Sequence, residues 1–596
     1  MERDSKKCKE EIQQQQPQQR VSAALSDENL SRIFELIESS QDRAAVSLVC
    51  RQWRRVDGNT RKNITIANMY AVAPTALTSR FKQLESINLK GKPRAAEYDL
   101  LVHDWGGYAE PWLKELTRAY ERLKTLQLRR LEVRDADLQL LASAPFNASL
   151  QVLHLHKCSG FTTRGLIPLC RSCRSLKVLS LEESDVIDEG GEWLHALAQH
   201  NSVIESLDFA VLGLDSVSVQ DLALLAGRCK SLVSLKVSDI DMSELDGVWS
   251  KVPFLKELGT GSCNDLGDEK KGMAVSINLP QHLTSLSGLW AMLDVGLQMV
   301  QPVAANLKKL DLKFTLLSRR GHCELLSHCF ALEDLQVLNV LGDEGLKVLG
   351  KTCKELRRLR VEDDDAGYTS HSGVVAIAQG CAKLRYLALY VCDITNAALA
   401  MVGQGCLHLT DCRIVLGERV KNFADLPLDD GVKLLLKGCV NLTRFCLYLR
   451  QGALTDQGLA YIGEYGRNLK WLLLGTTGES DMGLASLAYG CQQLERLEVR
   501  DCPFGEAGFA TAVVAISSLK YLWVQGHHRV SETGVQLLAL SRPYLHIEVY
   551  PGAQGQPGQL LAYYALTEPR TDGPPGMKVL VSNPHNHQQD ILPCIL

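Results

Sequence analysis

The sequence predicts an α/β fold in which a short helical module precedes a solenoid of strand–helix repeats that curves into an arc or a nearly closed ring. Three observations predict it. An apolar pattern recurs about every 26 residues along most of the chain, cysteines recur in the same register, and apolar residues at helical spacing precede the first repeat. A length of 596 residues alone suggests about four domains, but the repeat joins most of the chain into one unit.

Composition narrows the classes of protein to consider. Hydrophobic residues make up 45% and charged residues 22% of the chain, and the net charge of -4 argues against a broadly basic nucleic-acid binder. No apolar run approaches the roughly 18 residues of a membrane span, and residues 1–22 lack the apolar segment of a secretory signal. We therefore expect no nucleic-acid partner, no membrane partner and thiols that stay reduced.

The first predicted element is a helical module over residues 23–64, preceded by a disordered tail over 1–22. A cap signal at Ser26 is followed by apolar residues at helical spacing, namely Leu30, Ile33, Phe34 and Ile37. A second helical stretch, DRAAVSLVCRQWRRV, carries an apolar stripe formed by Ala45, Leu48, Val49 and Trp53. The plain structural interpretation is a cap over the open first repeat, which a solenoid needs in any case.

The order of these elements, and above all the sequence S-L-V-C-R-x-W, resembles an F-box. F-boxes are small helical modules that dock on a Skp-type adaptor of cullin-based ubiquitin ligases. The resemblance therefore implies a Skp-type adaptor and a cullin ligase complex as partners. It also implies an adaptor-binding surface formed by Leu30, Ile33, Phe34, Leu48, Val49 and Trp53.

The second predicted element is a leucine-rich-repeat solenoid over residues 65–549. The pattern L-x-x-L-x-L has clear copies that begin at Leu123, Leu150, Leu176, Leu232, Leu307, Leu332, Leu356, Leu384, Leu442, Leu469, Leu494 and Leu519. Weaker copies begin at Leu84, Ile204, Leu255, Leu283, Leu409 and Leu545, which makes about 18 repeats in all. Each copy predicts a strand followed by a helix, with parallel strands on the concave wall. Residues 550–596 are expected to form a cap and a flexible tail.

Cysteines support this register, because eight of them stand three residues before the first Leu of a repeat. They are Cys173, Cys229, Cys329, Cys353, Cys381, Cys406, Cys439 and Cys491. A small apolar side chain suits the turn that enters a strand, and a buried Cys behaves as one. These cysteines need no redox or metal explanation, and we expect no metal site.

Alternation along each strand predicts which side chains face the cavity. In LRRLRVE, Leu359 and Val361 point into the core, whereas Arg358 and Arg360 point to the concave surface. The concave positions of the early and late repeats are rich in cations and aromatic rings, namely Lys90, Lys92, Arg129, Arg358, Arg360, Tyr390, Arg413, Tyr448, Arg450, Trp471, Arg496, Arg500 and Trp523. Each Arg could instead pair with a neighbouring acid, but we expect too few acids for all of them. The pattern therefore favours a site for a small amphipathic anion.

The chain further resembles the plant jasmonate receptors, the coronatine-insensitive F-box proteins, over about residues 25–575. The motifs that carry the resemblance are LKGKPRAA (89–96), DWGGYAEPW (104–112), HKCSGFTT (156–163), YVCDITN (390–396), DLPLDDGV (425–432), YLRQGALTD (448–456), GESD (478–481), YLWVQG (521–526) and LLAYYALTEPRTD (560–572). The related auxin receptors share the fold and the GKP…WGGY loop. They do not usually carry Arg at position 94, nor this combination of Arg360, Tyr390 and Tyr448.

This resemblance implies a pocket for an amino-acid conjugate of jasmonate that recruits jasmonate ZIM-domain repressors for ubiquitination. It implies that Arg94, Arg360 and Arg413 hold the carboxylate and amide of the ligand and that Tyr390 and Tyr448 bind its polar groups. The apolar lining would be Ala95, Tyr98, Leu100, Ala388, Leu473 and Trp523, with Arg500 facing the repressor. The ligand itself, an isoleucine conjugate or a cyclopentenone precursor, is left open.

An inositol polyphosphate is the cofactor that the resemblance implies. Its ligands would be Lys90, Arg129, Arg130, Arg358, Arg413 and Arg496. Gln127 and Asn88 stand where family members often carry basic residues, which weakens the phosphate site at those positions, and Glu97 replaces a usually apolar residue. A nuclear location follows from repressor partners, with the cytoplasm left open.

No catalytic residues are expected, since the sequence contains no G-x-S-x-G, P-loop or H-E-x-x-H pattern. Three alternatives stay open at this point. The first is an auxin-type F-box receptor, the second is a constitutive F-box receptor that needs no small ligand, and the third is a plain repeat scaffold without an F-box.

Overall fold

The computed structural model describes most of the chain. The described residues are 25–93, 106–210, 213–238, 240–259, 263, 277–362, 369–417, 425–526, 530–542, 545–550, 561–566 and 577–581. The statements below concern these residues. Among them, no helix combines the length and the apolar character needed to cross a membrane.

Three helices form the N-terminal module, α1 (Asp27–Glu35), α2 (Ser40–Val49) and α3 (Arg51–Thr60). The Ser26 hydroxyl caps α1 by accepting the N–H of Asn29, as the cap signal predicts. The prediction of one continuous second helix is wrong. Cys50 has extended backbone, with φ -161° and ψ 171°, and ends α2 before α3 begins.

The N-terminal module has its own small apolar core. Leu30, Phe34 and Val56 are buried there, and the Trp53 ring packs edge-on against Phe34 at 5.4 Å between centroids. The apolar stripe of α1 is therefore used first of all to hold the three helices together.

One parallel sheet runs through the solenoid. Its strands are β1 (Asn63–Ile66), β2 (Ser86–Lys90), β3 (Thr125–Arg129), β4 (Val152–His156), β6 (Val178–Ser180), β8 (Ser206–Asp208), β9 (Ser234–Lys236), β10 (Glu257–Gly259), β11 (Ser285–Ser287), β12 (Lys309–Asp311), β13 (Asp334–Leu338), β14 (Arg358–Glu362), β15 (Tyr386–Val391), β16 (Asp411–Leu416), β17 (Arg444–Tyr448), β18 (Trp471–Gly475), β19 (Arg496–Arg500), β20 (Tyr521–Gln525) and β21 (His546–Tyr550). Each strand pairs with the next one named here in parallel. The short strands β5 (Phe161–Thr162) and β7 (Val186–Ile187) pair separately.

The predicted repeats match these strands one for one. Each of the 18 apolar copies begins one or two residues before a strand of the sheet, from Leu84 before β2 to Leu545 before β21. Strand β1 was not predicted, because NITI lacks the repeat pattern although Ile64 and Ile66 are buried. Strands β22 (Leu561–Leu566) and β23 (Met577–Val581) lie in the predicted C-terminal cap.

Helices follow the strands and cover the convex wall. They are α4 (Pro74–Arg80), α5 (Glu110–Ala119), α6 (Asp135–Ala142), α7 (Thr163–Ser172), α8 (Glu192–His200), α9 (Val219–Arg228), α10 (Asp246–Trp249), α11 (Leu297–Ala304), α12 (Arg319–Leu326), α13 (Gly342–Thr352), α14 (His371–Gly380), α15 (Asn396–Gly405), α16 (Asp429–Gly438), α17 (Asp456–Tyr465), α18 (Asp481–Gly490), α19 (Glu506–Ala515) and α20 (Glu532–Ser541). Their ends are tied to the next repeat. Asp343 at the start of α13, for example, accepts the Ser370 N–H that precedes α14, at 2.8 Å.

Cysteines form a second ladder between repeats. The Cys353 thiol donates to the Cys329 carbonyl at 3.3 Å, and the Cys439 thiol donates to the Cys406 carbonyl at 3.4 Å. Burial raises the pKa of the Cys439 thiol to about 12. These cysteines are therefore structural residues of the turns, as the register predicts.

The two ends of the solenoid approach each other. Strand β22 pairs antiparallel with β21 and contacts the short 3-10 helix Met69–Ala71 near β1. Lys90 on β2 is close enough to Arg496 on β19 for the guanidinium to lower the lysine pKa. The predicted arc thus closes toward a ring, and early and late strands share one cavity.

A buried charge cluster joins the N-terminal module to the solenoid. Asp57 of α3 is fully buried and lies 3.0 Å from Arg43 of α2, 3.1 Å from Arg61 and 3.6 Å from Arg80 of α4. Burial lowers the pKa of Arg80 to about 10. One carboxylate therefore links two helices of the module to the first helix of the repeats.

Candidate functional site

The N-terminal module exposes a small apolar surface on α1 and α2. Ile33, Leu36, Leu48 and Val49 are between 46% and 83% exposed. The assignment of Leu30 and Phe34 to an adaptor-binding surface is wrong, because both are only 1% exposed in the core of the module. Leu36 was missed because it follows the last residue of α1, outside the helical stripe. Trp53 is half-buried and packs against the core of the module.

The concave wall from β14 to β20 is organised in three rows of side chains across the paired strands. The first row is Arg358, Tyr386, Asp411, Arg444, Trp471, Arg496 and Tyr521. The middle row is Arg360, Ala388, Arg413, Cys446, Leu473, Glu498 and Trp523. The third row includes Tyr390, Val415, Tyr448, Gly475, Arg500 and Gln525. The rows bring together predicted ligand residues that lie more than 100 positions apart in the chain.

Carboxylates accompany the concave arginines more closely than predicted. Arg358 lies 3.2 Å from Asp334, Arg360 lies 2.6 Å from Glu362, Arg413 lies 2.9 Å from Asp411, Arg496 lies 2.8 Å from Glu498 and Arg500 lies 3.4 Å from Glu498. The expectation that neighbouring acids are too few for these arginines is therefore wrong. The wall instead presents guanidinium groups that are held in place by ion pairs.

Aromatic rings hold the same guanidinium groups from their faces. Arg413 lies over Tyr386 at 5.1 Å and over Trp471 at 4.7 Å. Arg358 lies over Tyr386 at 4.2 Å, and Arg496 lies over Tyr521 at 4.0 Å. Burial opposes the charge on Arg413, but the hydrogen bond to Asp411, the Tyr386 hydroxyl and the charge of Asp411 together outweigh burial and raise the arginine pKa. The rings of the first row thus hold guanidinium groups of both the first and the middle row.

A cluster of cations extends from β2 and β3 to Arg496 on β19. Burial lowers the pKa of Lys90, and the neighbouring Arg129, Arg130 and Arg496 lower it further. Arg130 has left-handed backbone with φ 54°, and its Nε donates to the Lys92 carbonyl at 2.8 Å. Positive charges at this spacing repel each other, so the cluster has the electrostatics of an anion site.

An apolar patch separates from the main core on the concave face. Cys446, Trp471 and Leu473 form this patch, and Tyr448 packs against it. The Tyr448 hydroxyl donates to Asp501 at 3.1 Å, and burial together with Asp501 raises the tyrosine pKa. Leu473 and Tyr448 were predicted here, whereas Cys446 was missed because a lone Cys carries no ligand signal in the sequence.

Two glycines make room for the tyrosine rings of the third row. A Cβ atom added to Gly475 would lie 2.2 Å from a Tyr448 ring carbon. A Cβ atom added to Gly417 would lie 2.8 Å from the Tyr390 ring. Both rings therefore lie directly on the backbone of the neighbouring strand segment, a placement that only glycine permits.

The remaining predicted pocket residues have different outcomes. Arg94, Ala95, Tyr98 and Leu100 lie outside the described residues. Ala388 and Arg500 face the concave side and are half-buried. Trp523 stands in the middle row with Arg500 over its ring at 5.6 Å, but it is only 2% exposed and so does not present an open face.

Two groups of side chains have the residue types of a metal site, although no metal site was expected. His156, Glu182 and Glu183 lie close enough to share an ion, although Glu182 already pairs with His156 at 3.2 Å and Glu183 with Lys157 at 3.1 Å. The hydrogen bond from His156 lowers the pKa of Glu182 to about 2. The sequence also contains one C-x-x-C pair, Cys170 and Cys173. Burial raises the pKa of both thiols, which disfavours the thiolate that a metal requires.

Comparison with known protein families identifies two parts of the chain. Residues 22–63 match the family described as F-box, within one residue of the predicted bounds, and residues 82–128 match the transport inhibitor response 1 protein domain. With the leucine-rich repeats behind it, the F-box defines the class of protein. It is a non-catalytic substrate receptor of a ubiquitin ligase that contains a Skp-type adaptor and a cullin.

Curated relatives then identify the family. The chain is 45% identical to coronatine-insensitive protein homolog 1a of Oryza sativa, over 93% of this chain and 97% of the rice protein. It is 44% identical to coronatine-insensitive protein 1 of Arabidopsis thaliana, over 94% and 97% of the two chains. The chain belongs to the coronatine-insensitive family of F-box proteins, and hence to the substrate receptors of a plant hormone pathway. GRR1-like protein 1 of Arabidopsis thaliana is more distant at 34% identity, over 94% and 97% of the two chains.

Proposed function

We propose that the protein is a co-receptor for an amino-acid conjugate of jasmonate and that the filled pocket recruits jasmonate ZIM-domain repressors for ubiquitination. The observation that carries this proposal is the three-row concave wall, in which fixed guanidinium groups border an apolar patch. Such a surface suits a ligand with one carboxylate and a compact apolar body.

We assign each part of the proposed ligand to side chains of the rows by their chemistry. Arg360 and Arg413 face the cavity in the middle row and would bind the carboxylate and amide. Ala388 stands between them and leaves room for a bulky group, while Leu473 offers an apolar contact. Tyr390 and Tyr448 in the third row would bind polar groups near the edge of the pocket. Arg500, in the same row, would face the repressor peptide.

An inositol polyphosphate is the second ligand that we propose. The cation cluster fits such an anion. Burial and the nearby charges of Arg129, Arg130 and Arg496 lower the pKa of Lys90, so a bound anion would stabilise the charged lysine. A bound polyphosphate would neutralise this repulsion and brace the ring across its cavity. Arg358 and Arg413 would complete its ligands from the first two rows.

The exposed apolar surface of the F-box is the docking site that we propose for the Skp-type adaptor. Its residues would be Ile33, Leu36, Leu48 and Val49, whose apolar side chains are exposed. Because the repressors act on transcription, we also propose that the protein works in the nucleus.

A binding experiment with the purified protein and its adaptor tests the proposed function. A fluorescent degron peptide of a ZIM-domain repressor is titrated with and without the isoleucine conjugate of jasmonate. We expect at least tenfold tighter binding with the conjugate, and loss of that gain in Arg360→Ala with adaptor binding unchanged. Equal binding with and without conjugate favours a constitutive receptor, and a response to auxin instead favours the auxin-type alternative. Either result overturns the proposal.

A further inference from the structure

Glu498 of β19 is a buried carboxylate with three donors. It is 1% exposed and stands in the middle row between Leu473 and Trp523. Its Oε1 accepts the Trp471 indole N–H at 2.8 Å and the Arg496 Nε–H at 2.8 Å. Its Oε2 lies 3.4 Å from Nη2 of Arg500. A carboxylate removed from water is costly unless it accepts hydrogen bonds, so these bonds restrict the positions of the three donor side chains.

These three donors belong to both proposed ligand sites. Arg496 is a member of the cation cluster proposed for the polyphosphate, and its charge is felt at Lys90 across the cavity. Arg500 belongs to the proposed hormone pocket and its repressor face. Trp471 carries the Arg413 guanidinium on its ring at 4.7 Å. One side chain therefore touches the supports of the two sites at once.

We propose that Glu498 is a positioning residue that couples the two anion sites, an inference that rests on the proposed function. It restricts Arg496, Arg500 and the indole of Trp471 to a narrow range of orientations, so that each site is largely organised before its ligand arrives. A polyphosphate that binds Arg496 further restricts the shared carboxylate, and with it Arg500 and the Trp471 indole, so the second ligand has less motion left to restrict. The two ligands then strengthen each other's binding.

The direction of the effect separates positioning from charge balance. A mere counter-charge weakens anion binding, so its removal would strengthen the binding of polyphosphate. A positioning residue has the opposite effect, since its removal frees the guanidinium groups that meet the anion. Glu498→Gln is suited to this distinction because it removes the charge with almost no change of shape.

The experiment uses the full chain in complex with its adaptor. Inositol hexakisphosphate is titrated calorimetrically, and degron binding is measured with the jasmonate conjugate, each with and without the other ligand. For Glu498→Gln we expect at least fivefold weaker polyphosphate binding, at least tenfold weaker degron binding and no mutual enhancement. Glu498→Asp keeps the charge but shortens the reach, so we expect an intermediate loss.

Asp208→Asn is the control. Asp208 of β8 is also buried, at 6% exposure, and it accepts a hydrogen bond at 2.8 Å from Lys236, which belongs to neither proposed site. We expect it to keep polyphosphate affinity within twofold or to raise it. Near-UV circular dichroism checks that each variant retains its tertiary structure.

Two results would overturn the inference. Polyphosphate binding by Glu498→Gln that equals or exceeds that of the unmodified protein would show that Glu498 is only a counter-charge. Equal losses in Glu498→Gln and Asp208→Asn would show a general effect of removing the charge from a buried carboxylate. An unmodified protein that binds polyphosphate but no degron overturns the proposed function instead, while the polyphosphate titration still decides the role of Glu498.

Discussion

At the scale of single residues, the concave wall shows two different ways to hold a cation. The arginines of β14 to β19 each have a carboxylate within 3.8 Å, and aromatic rings lie over several of their guanidinium groups. Lys90 is held differently, because the charges that act on it most strongly are those of Arg129, Arg130 and Arg496. The carboxylates and rings orient the arginine donors. The cations around Lys90 repel one another, and a bound anion would reduce that repulsion.

The lowered pKa of Lys90 predicts a pH dependence of polyanion binding. A lysine whose folded-state pKa lies below its unfolded value of 10.5 costs stability while it is charged, so stability without ligand rises as pH increases through that window. An anion favours the charged lysine. Affinity for inositol hexakisphosphate should therefore be full below the lowered pKa and fall as pH rises through it. Calorimetry in buffers of different ionisation enthalpy should show proton uptake on binding in this window.

Lys90→Met removes the titrating group and should abolish both the proton uptake and the fall in affinity with pH. Lys230→Met is the charge-matched control. Lys230 is an exposed residue between α9 and β9, and β9 does not pair with β2. A pH dependence that persists unchanged in Lys90→Met would assign it to another group.

At the scale of elements, the register between neighbouring strands decides which side chains meet. A shift of one residue between two strands would turn the three rows away from the cavity, because side chains alternate between the two faces. The register is held by the apolar copies themselves and by the ladders of Asp and Cys between repeats. Strand β18 has a further requirement, because the Tyr448 ring lies on Gly475.

Gly475→Ala should therefore damage the pocket without disturbing the F-box. The added Cβ meets the Tyr448 ring at 2.2 Å, so the ring must leave its place beside Leu473. Overpacking of this kind costs about 1–3 kcal/mol. We expect conjugate-dependent degron binding to weaken about tenfold or more in a fluorescence anisotropy assay, with adaptor binding unchanged.

Gly227→Ala on helix α9 is the control for that substitution, since a Cβ atom there meets nothing within 4 Å. It should leave degron binding within twofold of the unmodified protein. Undiminished binding by Gly475→Ala would mean that the Tyr448 ring is not required in its present position.

At the scale of the whole molecule, the sequence predicts the solenoid well because each repeat depends on its own buried leucines. The sequence predicts the exposed surface of the F-box less well, since some apolar residues of the α1 region are buried in the core and others are exposed to solvent. Leu30 and Phe34 fill the core while Ile33 and Leu36 face outward, and helical spacing alone cannot separate neighbouring stripes. The ion pair of Arg413 with Asp411 lies two residues apart on one strand and could have been anticipated. The three donors on Glu498 could not, because they depend on the rotamers of packed side chains.

The junction between F-box and solenoid leads to the last prediction. Arg43, Arg61 and Arg80 converge on the buried Asp57, which ties the helices of the F-box to the first helix of the repeats. Asp57→Asn leaves three buried guanidinium groups without their carboxylate, at a cost of about 3–5 kcal/mol. We expect a clear drop in thermal unfolding temperature. Asp27→Asn, which breaks an exposed pair with Arg55 at 2.7 Å, should leave the unfolding temperature almost unchanged, because water screens exposed pairs.

A measurement of ubiquitin transfer tests whether the Asp57 junction also affects function. On the proposed function, a repressor bound at the cavity has to lie within reach of the ubiquitin-charged enzyme that the ligase recruits, so a loosened junction should reduce transfer more than it reduces binding. At a temperature where Asp57→Asn is still folded, we expect adaptor binding and degron binding within threefold of the unmodified protein but ubiquitination at least tenfold slower. Ubiquitination that falls only in step with degron binding would show that the junction serves stability alone.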